Sequence, residues 1–406
     1  MPKIANINCH KIINSRGDWT IRTRVILDDG SVGIQTIPEG VSSGKKEAVY
    51  VPVEKAVKIV SEVLSEALRG EDALNQGRVD SVLVELDGTR EKKKLGANSI
   101  LSVSLATCKA AAQSQKLPLY RYLAKLYGNK SEVFTFPTPV FNVIEGGRHA
   151  DNNLSFQEFL IIPAGKIPYD EALEMGVTIY RSLEKHLERA GRDSDVGDEG
   201  GFAPSGFTPR TVFEFLKHSA GENFKVGDDV FFGMDAAADS FRRIVSYSID
   251  EEALHLSSDG LADYYTELLN EYPIIYIEDP FQEDDKKAWK KFLDGIGENI
   301  LVVGDDLVVT NFEILEKVIP QKLCNAVIVK PNQVGTLTET FEFVRMAKEA
   351  GLMVTVSHRA GDTAEDTFIA DLAVGVGAEF MKSGAPARGE RVAKYNRLLD
   401  IYHLLN

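Results

Sequence analysis

The sequence predicts an α/β protein, a small α+β region at residues 1–136 followed by a TIM-type (β/α)8 barrel at residues 137–406. Three observations carry this reading. Beyond residue 137, short apolar runs alternate with stretches of helical periodicity. Six of these runs end on a charged or ionisable residue: Asp235, Glu278, Asp305, Lys330, His358 and Lys382. The last five of these ends are spaced 27, 25, 28 and 24 residues apart, about one strand and one helix per step.

Continuous apolar runs are the signature of strands buried on both faces, and the C-terminal strand ends of such a barrel form its active-site face. The first third of the chain has a different rhythm. Residues 3–13 are β-rich, and 20–27 and 31–37 flank Asp28-Asp29-Gly30, whose Asp-Gly step favours a hairpin turn. Residues 45–69, 71–85 and 97–115 then carry apolar side chains at helical spacing. The prolines of Phe136-Pro137-Thr138-Pro139 mark the boundary, because each fixes its own φ and restricts the residue before it.

Composition narrows the function. The 406 residues carry a formal charge of −15, with no basic run long enough to follow a nucleic-acid backbone or an anionic membrane. The one basic cluster, Arg90 to Lys94, follows a turn-like Asp87-Gly88 and reads as a solvated loop. An anionic substrate would need local positive charge, and a divalent cation supplies it most simply. Cys9, Cys108 and Cys324 are far apart in sequence, which disfavours a zinc ribbon or a disulfide framework. The first residues show no apolar signal core, and no window holds about twenty uninterrupted apolar residues, so a cytoplasmic protein without membrane insertion is expected.

The predicted rim gathers Asp235, Glu278, Asp305, Lys330, His358 and Lys382. Three carboxylates from separate strands suit a hard, oxygen-seeking ion such as Mg²⁺. Lys330 follows an apolar strand, so burial should lower its pKa and make the neutral amine available as a base. His358-Arg359 offers donors to a phosphate or carboxylate. The Gly146-Gly147-Arg148-His149 loop leads into Phe156-Gln157-Glu158, where strand alternation would turn Gln157 and Glu158 to opposite sides. Asp198 and Glu199 lie among glycines that allow close backbone approach. A phosphate loop of the Walker type and a dinucleotide fingerprint are both absent. A lysine base, a glutamate acid and carboxylate-held Mg²⁺ together fit removal of a proton α to a carboxylate.

Read in order, Ser15-Arg-Gly17, Pro38-x-Gly-x-Ser42-x-Gly44, Leu95-Gly-Ala-Asn-Ser-Ile100, Gly-Gly-x-His149-Ala, Gln157-Glu158-Phe159, Gly197-Asp-Glu-Gly-Gly201, Ile277-Glu-Asp-Pro280, Gly304-Asp-Asp-Leu307, Lys330-x-Asn-Gln333, Ser357-His-Arg359 and Lys382-x-Gly384 resemble the enolase (phosphopyruvate hydratase) family over nearly the whole chain. The resemblance implies a capping α+β domain on an eight-stranded barrel in which an early strand runs antiparallel. It implies Asp235, Glu278 and Asp305 as ligands of the tighter Mg²⁺, and Ser42 as the protein ligand of a second Mg²⁺. Lys330 would take the C2 proton of 2-phosphoglycerate, and Glu199 with Glu158 would help the C3 hydroxyl leave. Lys382 and Gln157 would hold the substrate carboxylate and Arg359 its phosphate, with His149 and His358 lining the pocket.

Reversible formation of phosphoenolpyruvate in glycolysis and a homodimeric or larger assembly are the further expectations. Two departures bear on the substrate: Ala360 stands where the family has a serine, and Glu39 where it has a small polar residue. They motivate an alternative, a paralogue that dehydrates another 2-substituted 3-hydroxy acid. A non-catalytic binding or scaffold protein is the reading from a different class.

Overall fold

A computed structural model describes residues 1–40, 46–129 and 133–406. β1 (Ile4–Ile13), β2 (Trp19–Leu27) and β3 (Val32–Thr36) form an antiparallel sheet in that order. The β2–β3 turn closes where Leu27 N–H donates to the Ser31 carbonyl at 2.9 Å and Gly30 takes a φ of +86°. Helix Ala97–Ser114 packs on this sheet so closely that a Cβ on Gly33 would lie 1.9 Å from the Ala106 carbonyl oxygen.

The helix expected from residue 45 begins at Val53, since Pro52 is itself extended, at φ −51° and ψ 142°, and disfavours helical backbone in the residue before it. The next helix begins at Gln76, five residues later than its periodicity suggests, where the Asn75 side chain accepts from Arg78 N–H. The basic cluster is not wholly a solvated loop: Lys92 is buried and pairs with Glu339 at 2.7 Å. That ion pair ties the region around the sheet to the barrel. So does the buried Asp80, which accepts from both the backbone and the hydroxyl of Thr338.

The barrel strands are β4 (Thr138–Glu145), β5 (Glu158–Pro163), β6 (Val230–Asp235), β9 (Ile274–Glu278), β10 (Leu301–Gly304), β11 (Ala326–Val329), β12 (Met353–Ser357) and β13 (Phe380–Lys382). A side hairpin of β7 (Tyr247–Ile249) and β8 (Leu254–Leu256) lies between β6 and β9. The eight barrel strands close in the order β10-β11-β12-β13-β4-β5-β6-β9. The six runs read from sequence are all strands, each within a residue or two of its expected ends.

Within the barrel β5 runs against both neighbours, and all other pairs are parallel. The segment joining β4 to β5 contains no helix, whereas a parallel neighbour requires a long crossover. Reversal has a direct consequence for the rim: β5 presents its first residue, not its last, beside the ends of its neighbours. Glu145, Glu158, Asp235 and Glu278 are therefore in register across four adjacent strands. Among the described residues no helix is long and apolar enough to cross a membrane.

Gly33→Ala should lower the unfolding free energy by about 1–3 kcal/mol, since the methyl group meets backbone rather than a movable side chain. Gly295→Ala, where nothing lies within 4 Å, should change it by less than about 0.5 kcal/mol. Urea titrations of the two variants check both values.

Candidate active site

The row of four carboxylates meets its counter-charge in Lys382, at the end of β13. Its Nζ lies 2.7 Å from Glu278 Oε2, 3.0 Å from Glu158 Oε2 and 3.6 Å from Asp235 Oδ2, and all four side chains are buried. An isolated buried charge is prohibitively costly, so this pairing is what lets the row exist. Burial and mutual repulsion still push Asp235 and Glu278 up to about 7, although Lys382 opposes the shift. Glu278 Oε2 also accepts from the Tyr276 hydroxyl, whereas the buried Oε1 has no hydrogen-bond partner among the described residues.

Asp305 follows β10 by one residue and receives Lys330 in an ion pair and Gln333 Nε2 at 3.0 Å. Burial alone would lower the Lys330 pKa as the sequence suggests. The adjacent Asp305 carboxylate outweighs it and holds the ammonium above its ordinary value.

A second expectation also changes: Gln157 and Glu158 both line the pocket. Gln157 precedes the strand, so alternation does not apply to it, and its Nε2 donates to Asp235 Oδ2 at 3.2 Å.

Two imidazoles and a further carboxylate complete the pocket. His149 Nδ1 lies between the two acids, 3.6 Å from Glu158 Oε1 and 3.8 Å from Glu199 Oε1, beyond hydrogen-bond distance of either. His358 Nε2 is 3.2 Å from Glu199 Oε2, and its Nδ1 faces Arg391. An arginine only donates, so Nδ1 accepts and Nε2 carries the hydrogen offered to Glu199. Burial pushes the His358 pKa down to about 3, Glu199 resists the shift and the Arg391 charge adds to it, which keeps this ring neutral. Glu158, buried and close to two further carboxylates, is pushed up to about 8 despite Lys382.

Arg359 is buried and pairs with Glu47 at 3.0 Å, beneath the backbone of Gly40, where any Cβ would strike the guanidinium. Glu39 and Gly361 exchange two backbone hydrogen bonds of 2.8 Å, joining the segment before residue 41 to the loop that holds Arg359. Ala360 lines the pocket and contributes no hydroxyl, while its carbonyl accepts from Ser15 Oγ. Ser42 lies outside the described residues.

One pocket thus brings together His149, Gln157, Glu158, Glu199, Asp235, Asp305, Lys330, His358, Arg359 and Lys382, with Glu278 buried just behind Lys382. Two family descriptions match the chain: "Enolase, N-terminal domain" over residues 4–123 and "Enolase, C-terminal TIM barrel domain" over residues 133–406. The chain belongs to the enolase family. An enolase-family fold suggests a small-molecule substrate, the barrel-rim pocket is the candidate site for it, and its oxygen-rich wall suits the Mg²⁺ typical of that family. The donor set agrees: three buried carboxylates, one with an unpartnered oxygen, favour added positive charge.

Two acidic residues at this enolase-family rim were not legible as functional. Asp279, at a φ of +40°, accepts the backbone N–H of Asp305 on one oxygen and of Asp306 on the other. Potential ligand atoms of Asp279, Asp305 and Asp306 lie within 4.8 Å of one another, yet Asp279 is committed to bracing the neighbouring strand end. Glu145 is fully buried and accepts from the backbone N–H groups of Glu199 and Gly201, fixing the loop that carries Glu199. Asn142 interrupts the apolar run of β4, so the strand ending in Glu145 lacks the pattern that revealed the other six.

Glu145→Ala would leave both N–H groups without that acceptor and should cost about 1–3 kcal/mol in thermal or urea unfolding. Glu145→Gln keeps a carbonyl acceptor and should lose less.

Proposed function

We propose that this enolase-family chain is a Mg²⁺-dependent carbon–oxygen lyase that interconverts 2-phosphoglycerate and phosphoenolpyruvate. In this reading residues 1–136 form a capping unit over a catalytic barrel at 137–406. The observation that carries the proposal is the placement of Lys330 and Glu158. Lys330 follows β11 by one residue and Glu158 opens β5, strands that lie four apart in either direction around an eight-stranded rim. An amine and a proton-bearing carboxyl on opposite walls can act on opposite faces of one substrate, as removal of H and OH from neighbouring carbons requires.

Lys330 is the base for the C2 proton. Its pairing with Asp305 favours the ammonium form, so acting as base requires that this ion pair first be loosened and the amine give up its own proton. Mg²⁺ held by Asp235, Glu278 and Asp305, with a second ion reached by Ser42, would stabilise the negative charge that develops on the substrate carboxylate. Lys382 and Gln157 bind that carboxylate, and Arg359 binds the phosphate. Glu158 carries the proton delivered to the C3 hydroxyl, and Glu199, held against its burial below the usual carboxylate range by His358, His149 and Arg391, is its ionised partner across His149, with the His358 Nε2 hydrogen fixing Glu199.

A second reading, dehydration of a different 2-substituted 3-hydroxy acid, draws support from Arg359, which already has the Glu47 carboxylate beside it and Ala360 in place of a hydroxyl. Turnover of the unphosphorylated acid exceeding that of 2-phosphoglycerate at saturating Mg²⁺ would favour it.

The direct test follows phosphoenolpyruvate absorbance after addition of 2-phosphoglycerate. Turnover should require Mg²⁺, stop with excess chelator, and fall roughly 10²–10⁴-fold in Lys330→Ala. Well-folded protein with no turnover would overturn the proposal. The Glu158 pKa of about 8 in the free protein makes a separate prediction: kcat/KM for dehydration should decline as pH rises through that value and Glu158 loses its proton. A kcat/KM flat from about pH 7 to 9.5 would remove Glu158 from the acid role.

A further inference from the structure

We infer that His186, His218 and Glu222 form a separate binding site for a transition-metal dication of the Zn²⁺ class, joining two helices on the outside of the barrel. None of the three lines the rim pocket. His186 lies near the C-terminal end of helix Tyr169–Arg189; His218 and Glu222 are four residues apart at the end of helix Pro209–Gly221, a spacing that puts both on one helical face. Each residue offers one ligand atom, and these atoms lie within 4.8 Å of one another. The two imidazole rings are 4.4 Å apart between centroids and tilted by 52°.

The surroundings are organised as a metal site requires. His186 is 8 % exposed, and its Nδ1 meets Ser219 Oγ at 2.8 Å, which fixes the ring and leaves Nε2 directed at Glu222 Oε1, 3.1 Å away. Two ligands bonded at about 2.0–2.1 Å to a tetrahedral ion lie about 3.3 Å apart, so this nitrogen and oxygen already span nearly one edge of such a site. The other Glu222 oxygen accepts from Ser182 Oγ at 2.7 Å. Hydroxyls behind both a histidine and a carboxylate ligand are the outer partners that orient ligands toward a metal. Two imidazoles and one carboxylate favour Zn²⁺, Co²⁺ or Cu²⁺ over Mg²⁺, and the exposure of His218 and Glu222 leaves further positions to water. A metal on His186 Nε2 places the ring hydrogen on Nδ1, where Ser219 Oγ, 2.8 Å away, accepts it.

The test is Co²⁺ titration of the full chain in excess Mg²⁺, read by visible absorption, with a parallel Zn²⁺ thermal shift. The wild type should show the intense band of a low-coordinate nitrogen-ligated site and a Zn²⁺-dependent rise in Tm. His218→Ala and Glu222→Gln, both surface changes, should lose the band and the Tm rise while retaining the folded state without metal. Ser182→Ala should weaken Co²⁺ affinity by roughly 10–100-fold. A band of equal intensity in wild type and His218→Ala would assign the metal to other groups. No band and no Tm response in the wild type would leave a hydrogen-bonded histidine–glutamate pair; either result overturns the site.

Discussion

A single row of buried carboxylates governs this barrel: Glu145, Glu158, Asp235 and Glu278, in register across four neighbouring strands. Such a row is stable only if each member has a specific answer to its charge. Lys382 answers three of them directly, while Glu145 is answered by backbone N–H groups of the loop bearing Glu199. The arrangement depends on the reversed β5, because a parallel strand there would bring its other end, Pro163, to the rim in place of Glu158.

The second lysine extends the same logic around the circle. Lys330 pairs with Asp305, whose position is set by the backbone braces from Asp279. Both lysines therefore sit against the carboxylates that the proposed function gives to Mg²⁺, so an ion held there would compete with the two ammonium groups for the same oxygens. In the proposed function that competition would join metal binding to the availability of Lys330 as a base. Glu47 makes a comparable contact with Arg359, and Glu39 pairs with Gly361, linking the chain before the barrel to the loop that holds Arg359.

The barrel and its charged strand ends were legible because one rule produces both. A strand buried on two faces must be apolar until it reaches the rim, so the final charged residue is conspicuous in Ile274–Glu278 and Ala326–Lys330 alike. Conformation outside that rule was hidden. Nothing local shows that Gln157 lies before the strand rather than within it, or that Asp279 adopts a left-handed backbone to brace residues 305 and 306. The protonation of Lys330 also escaped, since it depends on a partner 25 residues away whose charge opposes burial. Lys92 escaped for the same reason: its carboxylate partner, Glu339, is remote in sequence.

The measurement closest to the central claim is exchange of the C2 hydrogen of 2-phosphoglycerate with D₂O, followed by NMR in the presence of Mg²⁺. If Lys330 removes that proton and the Glu158–Glu199 pair acts afterwards on the hydroxyl, Glu199→Gln should exchange deuterium into C2 while forming little phosphoenolpyruvate, and Lys330→Ala should do neither. Exchange by Lys330→Ala at the wild-type rate would contradict the account, because the base would then have to be another group at the rim.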